Sequence, residues 1–460
     1  MRIKSSIILV VLFTMCTKLY GQYKLSGHIE DNDKHENIKG VLIEIPNLKM
    51  SSTTDKYGYF QFPNLKSGHY LIEISCEGYH SQVKSIFINK DSSIKVVLQV
   101  RKNELNEVIV TGVSSATALR NSPLIVTTID KNTLNQNSSS NLIDGLKNIP
   151  GINQITTGAA ISKPIIRGLG YNRVISLNNG IRQEGQQWGD EHGIEIDEYA
   201  VDRVEIIKGP GSLMYGSDGI AGVLNFLAPK APPIGEVHSQ LTNNYQSNNH
   251  LLAQSISNEG NLKGIQWQAR ITHKMAGNYQ NAYDGQVYNS GFKEWDGNLM
   301  LGINRNWGYS HISFSTYNNT LNLVEGERDS LGQFVYTDAQ GKVQTATAQD
   351  ERGYKIGFPH QAIQHNRLSA QNYFIFKKGT LNVDLGFQNN QRKEFGDPTQ
   401  PNDIDLYFDL NTINYNFRFN LNKVKGWETA FGIGGMQQSN TNKGLSFVGC
   451  GCICLYAKNV

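Results

Sequence analysis

The residues with the chemistry to bind or react are few and lie far apart. Trp188-Gly189-Asp190-Glu191-His192 sets two carboxylates beside an imidazole, and His360 and His365 follow much later. Imidazole with carboxylate suits zinc, copper or iron. His192 and Glu195 also meet the HxxE spacing of a zinc peptidase pair. Metal-assisted hydrolysis needs a third ligand and a general base on a rigid scaffold. HExxH is absent and no long α/β pattern surrounds the pair. Asp31-Asn32-Asp33 begins like a calcium loop, yet Glu36 stands where such a loop needs Gly, so a solvated turn is expected. Gly209-Pro210-Gly211-Ser212 follows a strand as a phosphate loop would. No Gly-Lys-Ser/Thr closes it, and Met214 stands where GxGxxG needs its third Gly. GxSxG is also missing. The expectation is a protein that is not an enzyme and holds no resident cofactor.

The elements that must position these residues are strands. The chain has 460 residues, of which 18% are charged, against about 25% in typical soluble proteins. Its 45 Gly, 21 Tyr and 18 Phe suit many strands joined by polar turns. The formal charge of +3 and the lack of any block of like charge give no sign of nucleic acid. No run reaches the ~18 apolar residues of a spanning helix. The longest, Ile7–Phe13, follows Arg2 and Lys4 and gives way to small or polar residues up to Gly21, the form of a secretory signal over residues 1–21. Beyond it only Cys76, Cys450, Cys452 and Cys454 remain, which is no disulfide framework.

Residues 22–100 read as a small sandwich, with six or seven short strands separated by turns at Asp55–Gly58 and Leu65–Gly68. Residues 113–230 mix helix and strand: Asn141–Ile149 has helical spacing and stops at Pro150-Gly151, and strands follow at Pro164–Arg167, Val174–Leu177, Val204–Ile207 and Gly222–Phe226. From residue 231 to 446 the pattern lengthens. Leu381, Val383, Leu385 and Phe387 interleave with Asn382, Asp384, Gly386 and Gln388. Ile413, Tyr415, Phe417 and Phe419 interleave with Asn414, Asn416, Arg418 and Asn420. Period two over ~10 residues marks strands with one lipid face and one wet face. Short turns near 305–308, 377–379 and 422–426 alternate with long connectors at 273–294, 318–366 and 389–411, as between the two rims of a barrel. About nine strands are expected, ending near Met436. An open sheet would leave bare edges in lipid, so a barrel cut short of further strands is inferred, with residues 447–460 and their CxCxC as an aberrant tail.

The wording of these segments resembles a known family. Gly40-Val41, Thr54-Asp55, Gly58-Tyr59-Phe60, Gly68-His69-Tyr70 and Glu77-Gly78-Tyr79 resemble the carboxypeptidase regulatory-like domain. Glu107-Val108-Ile109-Val110-Thr111-Gly112, in the linker 101–112, looks like a TonB box, a segment able to add itself as an edge strand to a partner sheet. Pro150-Gly151-Ile152, Ile166-Arg167-Gly168, Arg173-Val174, Asn179-Gly180-Ile181-Arg182, Val204-Glu205-Ile206-Ile207-Lys208-Gly209-Pro210, Tyr215-Gly216 and Gly219 through Gly222 to Asn225 resemble, in order, the plug of TonB-dependent outer-membrane receptors. The resemblance implies a mainly β protein: signal peptide, sandwich, α+β plug, then a partial transmembrane antiparallel barrel. It implies that charged plug residues, with Arg167, Arg173, Arg203, Glu205 and Lys208 the candidates, pair with lumen-facing charges.

The same resemblance implies uptake of a scarce, bulky ligand across the outer membrane, with the TonB energy-coupling complex and outer-membrane lipid as partners. Lys208-Gly209-Pro210 stands where glycan importers usually read Lys-Asp-Ala, which points away from glycans. Asp190, Glu191 and His192 fall where apical plug loops occur, and His360 and His365 in the longest outer connector, so a transported metal or metal chelate (siderophore, haem, zinc or copper) is expected. The alternatives are a non-transporting envelope binding or signalling protein and a glycan or cobalamin importer.

Overall fold

A computed structural model describes residues 22–100, 109–110, 117–118, 125–136, 139–186, 189–190, 192–209, 212, 215–422, 429–442 and 445–459. The expected leader lies outside the described residues, as do Glu107, Val108, Thr111, Gly112, Glu191 and Pro210.

The N-terminal strands are β1 (Tyr23–Asp31), β2 (Leu42–Ile45), β3 (Met50–Thr53), β4 (Tyr59–Leu65), β5 (Gly68–Ser75), β6 (Gln82–Ile88) and β7 (Ser92–Leu98). They form two facing sheets, ordered β4-β1-β7 and β3-β2-β5-β6. Alternate residues of each strand point inward, which buries Leu25, Ile29, Ile43, Phe62, Ile72 and Leu98 in one core. Asp31 makes the expected turn: its Oδ1 accepts the Asp33 and Lys34 amides at 2.7 and 2.8 Å, and its Oδ2 the Tyr79 hydroxyl at 2.7 Å.

Between sandwich and plug, β8 (Ile109–Val110) pairs with β9 (Thr117–Ala118) as a two-residue ladder. The plug contains β10 (Ile125–Asp130), α1 (Lys131–Gln136), the hairpin β11 (Ile152–Gly158) with β12 (Ile161–Ile166), then β13 (Val174–Asn178), β14 (Ile181–Gln183), β15 (Arg203–Lys208) and β16 (Gly222–Leu227). Its main sheet runs β10-β15-β16-β13-β14. Asp130 caps α1 by accepting the Thr133 amide at 2.8 Å. The helix expected over Asn141–Ile149 is instead a single 3-10 turn, Asp144–Leu146. Leu142, Ile143 and Leu146 do enter the plug core. Gly145 weakens a longer helix, and the Asn141 side chain takes the Asp144 amide at 2.9 Å, so the apolar spacing is met by one turn.

The remaining chain forms one antiparallel sheet. It begins with β17 (Val237–Gln246), β18 (Leu251–Leu262) and β19 (Ile265–Ala276). A connector carrying the small hairpin β20 (Gln280–Asn281) and β21 (Gly285–Gln286) leads to β22 (Phe292–Arg305) and β23 (Gly308–Asn322). A second, holding β24 (Val335–Thr337), β25 (Val343–Thr345) and α2 (Ala348–Glu351), leads to β26 (His360–Phe376), β27 (Gly379–Phe395), β28 (Leu406–Leu421), β29 (Thr429–Asn442) and β30 (Leu445–Asn459). The order is β17-β18-β19-β22-β23-β26-β27-β28-β29-β30. The nine expected strands are those from Val237 to Asn442, and the main chain of 445–459 adds a tenth. Turns at 263–264, 306–307 and 377–378 mark one rim, and the connectors 277–291, 323–359 and 396–405 the other.

Burial in this sheet runs opposite to a soluble protein. Ile256, Ile271, Leu301, Ile312 and Leu368 are exposed, while Gln266, Thr272, Lys274 and Gln361 are buried. Apolar side chains face out and polar ones face in, strand after strand, which is what lipid outside and a polar lumen inside require. Ile312→Arg, outward and 57% exposed, is therefore expected to remove about 2–4 kcal/mol if it lies near the bilayer midplane, read as a fall in folded protein recovered from the outer membrane. The same change at Ser313, one residue on and lining the lumen, leaves recovery near wild type. Equal losses at both positions contradict the two-faced reading.

Candidate functional site

The plug turn Asn179-Gly180 joins β13 to β14, and both residues have positive φ, 52° and 79°, the geometry of a tight hairpin turn that suits Asn-Gly. Asn225 of β16 holds it by accepting the Gly180 amide at 2.9 Å. Gly222 at the start of β16 (φ 152°) packs closely enough that a Cβ there would lie 2.8 Å from the Ile207 carbonyl oxygen. The wall grips this turn with long polar side chains aimed at plug carbonyls. Arg367 Nη1 donates to Asn178 O at 2.9 Å, Gln371 Nε2 to Asn179 O at 2.6 Å and Gln388 Nε2 to Arg182 O at 2.7 Å.

A second seat lies in the plug segment 195–198. Glu195 places Oε1 2.8 Å from Arg392 Nη2 and Oε2 2.9 Å from His365 Nδ1, and also accepts from Asn390 Nδ2. Arg392 Nη1 in turn donates to Gln361 Oε1 at 2.7 Å. Burial alone would raise the Glu195 carboxyl, but the His365 hydrogen bond and the charges of His365 and Arg392 outweigh it and hold the group below its ordinary value. Asp197 accepts from Thr272 Oγ1 at 2.8 Å and Asn298 Nδ2 at 3.3 Å, and starts a 3-10 turn by accepting the Tyr199 amide at 2.9 Å. Glu198 lies 2.8 Å from Lys274 Nζ, which also pairs with Glu294. Burial lifts Glu198 above the usual carboxylate range, with Lys274 pulling it back and Glu294 adding to the lift. Three of these ion pairs and the hydrogen bonds beside them thus fix one short plug segment to β19, β22, β26 and β27.

The structure distributes the expected site residues differently. Arg203 pairs with Glu205 on the same plug strand at 3.3 Å. Lys208 donates to Pro150 O at 3.1 Å, its ammonium lowered by burial and by Arg167. Arg167 (φ 52°) and Gly168 (φ 81°) form the bend after β12, Arg173 closes a 3-10 turn, Gly209 and Gly216 sit at positive φ, and Tyr215 packs beside Ile207 and Val223. Arg203, Glu205 and Lys208 bond within the plug's own sheet and turns, while the wall is reached by Glu195, Asp197 and Glu198. The spacing had marked Glu195 only as half of HxxE.

The expected metal ligands do not converge. Tyr171 donates its hydroxyl to Asp190. His192 is buried, its Nδ1 3.3 Å from Gly185 O and its ring edge-on to Phe408. Burial, then Arg392, push its imidazole down to about 3, so it stays neutral. His360 stacks on Phe395 with Nδ1 2.9 Å from Gly357 O. His365 lies in β26 and not in the connector, and His360, five residues away, falls on the opposite face of the same strand. Among the described residues no three His, Cys, Asp or Glu side chains are placed to hold a metal ion. His192 and Glu195 likewise make no peptidase pair, since the carboxylate is taken by wall residues. A period-two polar run at His365, Arg367, Ser369 and Gln371 is the signal that would have put His365 in the wall.

Residues 118–223 match the model of the TonB-dependent Receptor Plug Domain, and residues 25–110 that of the CarboxypepD_reg-like domain. The chain thus carries the plug domain of the TonB-dependent receptors behind a CarboxypepD_reg-like domain. This chain is 32% identical over 147 residues to an iron-regulated outer membrane virulence protein of Vibrio cholerae, covering 30% of this chain and 22% of that protein. It is 31% identical over 127 residues to a hemin receptor of Yersinia enterocolitica, covering 27% of this chain and 18% of that one. It shares its fold with the siderophore receptor PirA from Acinetobacter baumannii at a TM-score of 0.53 and 16% identity, over 71% of this chain and 49% of that chain. The match thus spans about a fifth of each curated relative and about half of the solved receptor. Two of these three proteins are named as receptors.

Proposed function

We propose that the chain is part of an importer that carries a scarce metal or metal chelate, as a siderophore or haem complex or as zinc or copper, across the outer membrane with energy from the TonB complex. The observation that carries this reading is the seating of the plug. Segment 195–198 is held on the lumen wall by buried ion pairs and hydrogen bonds, beside a smaller apolar contact in which Ile161 of the plug packs with Leu251, Phe292 and Ile363 of the wall. Polar contacts seal a lumen but can be exchanged for water when the plug is pulled. Residues Glu107–Gly112 are the segment on which the energy complex would pull, leaving the plug to pair with a partner sheet. The ligand class is supported by the relatives, whose names speak of iron regulation, hemin and siderophore. Here the metal is cargo, and the outer connectors and plug apex would bind it.

The test is uptake by cells carrying the full-length gene as their one receptor of this kind, supplied in turn with a ferric siderophore, haem, zinc and copper. Accumulation that stops when the proton gradient is collapsed, and that is lost when Val108 and Val110 are both replaced by Pro, is the expected result. Binding without accumulation would favour the second reading, a non-transporting envelope binding or signalling protein.

A further inference from the structure

The connection between β2 and β3 is a short polar finger, Pro46-Asn47-Leu48-Lys49. A 3-10 turn over Pro46–Leu48 ends at Lys49 in the left-handed region (φ 49°, ψ 42°). That conformation is uncommon for a residue with a side chain, and it turns the Lys49 carbonyl and ammonium toward different strands of the wall. Asn304 Nδ2 donates to Leu48 O at 2.6 Å and to Lys49 O at 2.9 Å, and Gln266 Nε2 donates to Lys49 O at 3.0 Å. His311 Nε2 lies 2.7 Å from Asn304 Oδ1 and fixes that amide. The Lys49 ammonium donates to Gln371 Oε1 at 2.9 Å and lies 4.9 Å from the centroid of the Tyr309 ring. These partners come from β19, β22, β23 and β26, all near the short-turn ends. Lys66 adds a hydrogen bond to Ile375 O at 2.9 Å on the same rim.

We propose that this finger is a second closure: the sandwich seats its tip in the short-turn mouth of the barrel and must withdraw before cargo can leave. The proposal rests on the reading that cargo passes along the lumen. Three observations carry it. First, the finger floors a chamber of about 690 Å³ whose roof is the plug turn at Asn179 and whose walls include Asn382, Asp384 and Arg418. A path past a yielding plug therefore meets the finger next. Second, the hydrogen bonds at the tip are polar, with Tyr309 under the ammonium and Tyr373 and Ile375 the apolar wall residues packed on the sandwich. Lys49 is buried against a neutral amide, its closest carboxylate neighbour Asp384 being near enough only for a long-range pull, so the finger can leave without exposing a large apolar face. Burial accordingly pushes its ammonium down to about 8. Third, the finger is tied to the plug's own exit strand. Lys230 bonds Glu44 and lies 3.7 Å from Glu73. Ser51 Oγ donates to Ala231 O at 2.8 Å, and Thr53 Oγ1 to Glu236 Oε1 at 3.0 Å. Movement of the plug's C-terminal tether is thereby passed to the finger.

Two experiments on the full-length receptor test this. In the first, natural cysteines are replaced by Ser, Asn382→Cys is introduced, and a membrane-impermeant maleimide is added from the short-turn side. Labelling is slow with the finger intact and rises about tenfold or more when Leu48→Gly and Lys49→Gly unseat it, as for a site protected by local closure. Equal rates in a folded variant overturn the proposal, and no transport is needed to see it. In the second, Ser51→Cys with Ala231→Cys is oxidised to hold the finger in place. Outer-surface binding of ferric siderophore or haem persists, accumulation stops, and reductant restores it. Accumulation at the wild-type rate in the oxidised form also overturns the proposal. If the reduced form itself accumulates nothing, the transport reading fails and the labelling result still decides the finger.

Discussion

Replacing Glu195 by Ala is expected to unseat the plug while leaving the barrel wall folded. The Glu195 carboxylate is buried, and it faces Arg392 at 2.8 Å and His365 at 2.9 Å from the opposite side of the interface. Removing it takes from the buried Arg392 guanidinium its carboxylate partner, while the hydrogen bond to Gln361 remains. Breaking one side of a buried pair costs about 3–5 kcal/mol, because a charge is left uncompensated. The wall strands keep their own ladders, so the loss should appear as protease access to the plug and as leakage of large antibiotics through the barrel. Glu195→Gln keeps a hydrogen-bonding shape without the charge and should lie between. Glu195→Leu with Arg392→Met removes both charges and should recover much of the seating. The pH dependence has a fixed sign. Glu195 is held below its ordinary value of 4.5, so its contribution is complete above that pH and is lost as pH falls through the lower, folded-state value. Wild-type seating in Glu195→Ala at neutral pH would show that the pair does not hold the plug.

What could be read before the fold was known follows from which signals are local. Leu381, Val383, Leu385 and Phe387 alternate with polar neighbours, and β27 places them outward as that period demands. Asn179-Gly180 could be read as a turn because the two residues carry the positive φ themselves. By contrast, nothing near Glu195 announces Arg392. The pair spans nearly two hundred positions, and only strand register and plug placement bring the groups together. The same holds for Lys49, which reads as an ordinary turn residue until the sandwich is set beneath the barrel. His365 was misplaced for a different reason. Ile363 interrupts the polar face after Gln361, so the alternation at His365, Arg367, Ser369 and Gln371 starts late and a connector read to 366 hides it, and a shift of one residue reverses which side chains meet the lumen. The helix expected at Asn141–Ile149 had the right buried face but lacked the length, and packing of three apolar side chains was satisfied by one turn.

Lys274→Met should be as damaging as Glu195→Ala, with a response to acid opposite to that of the intact Glu195 site. Lys274 is buried between Glu198 of the plug and Glu294 of the wall, 2.8 Å from the former and paired with the latter. Asp197 and Asp296 stand in the same cluster, with Asp296 buried beside Glu294. Tyr317 and Asn319 donate to Glu294 at 2.9 and 2.8 Å and hold it in position, so it cannot swing away from Glu198. With the ammonium gone, carboxylates from plug and wall face each other in a low dielectric, and a loss of about 3–5 kcal/mol in plug seating is expected. Acid should relieve it. Glu198 already sits above the ordinary carboxylate range, and an acid raised in the folded state contributes most when protonated and loses that contribution as pH rises through the raised value. Lowering the pH toward 5 should therefore reseat the plug in Lys274→Met, and Glu294→Gln in the same chain should reseat it at neutral pH. Protease access measured across pH separates the two sites. Access that rises in acid for the wild type and falls in acid for Lys274→Met supports both assignments, whereas a Lys274→Met plug equally accessible at every pH would mean that lost packing, not carboxylate repulsion, had freed it.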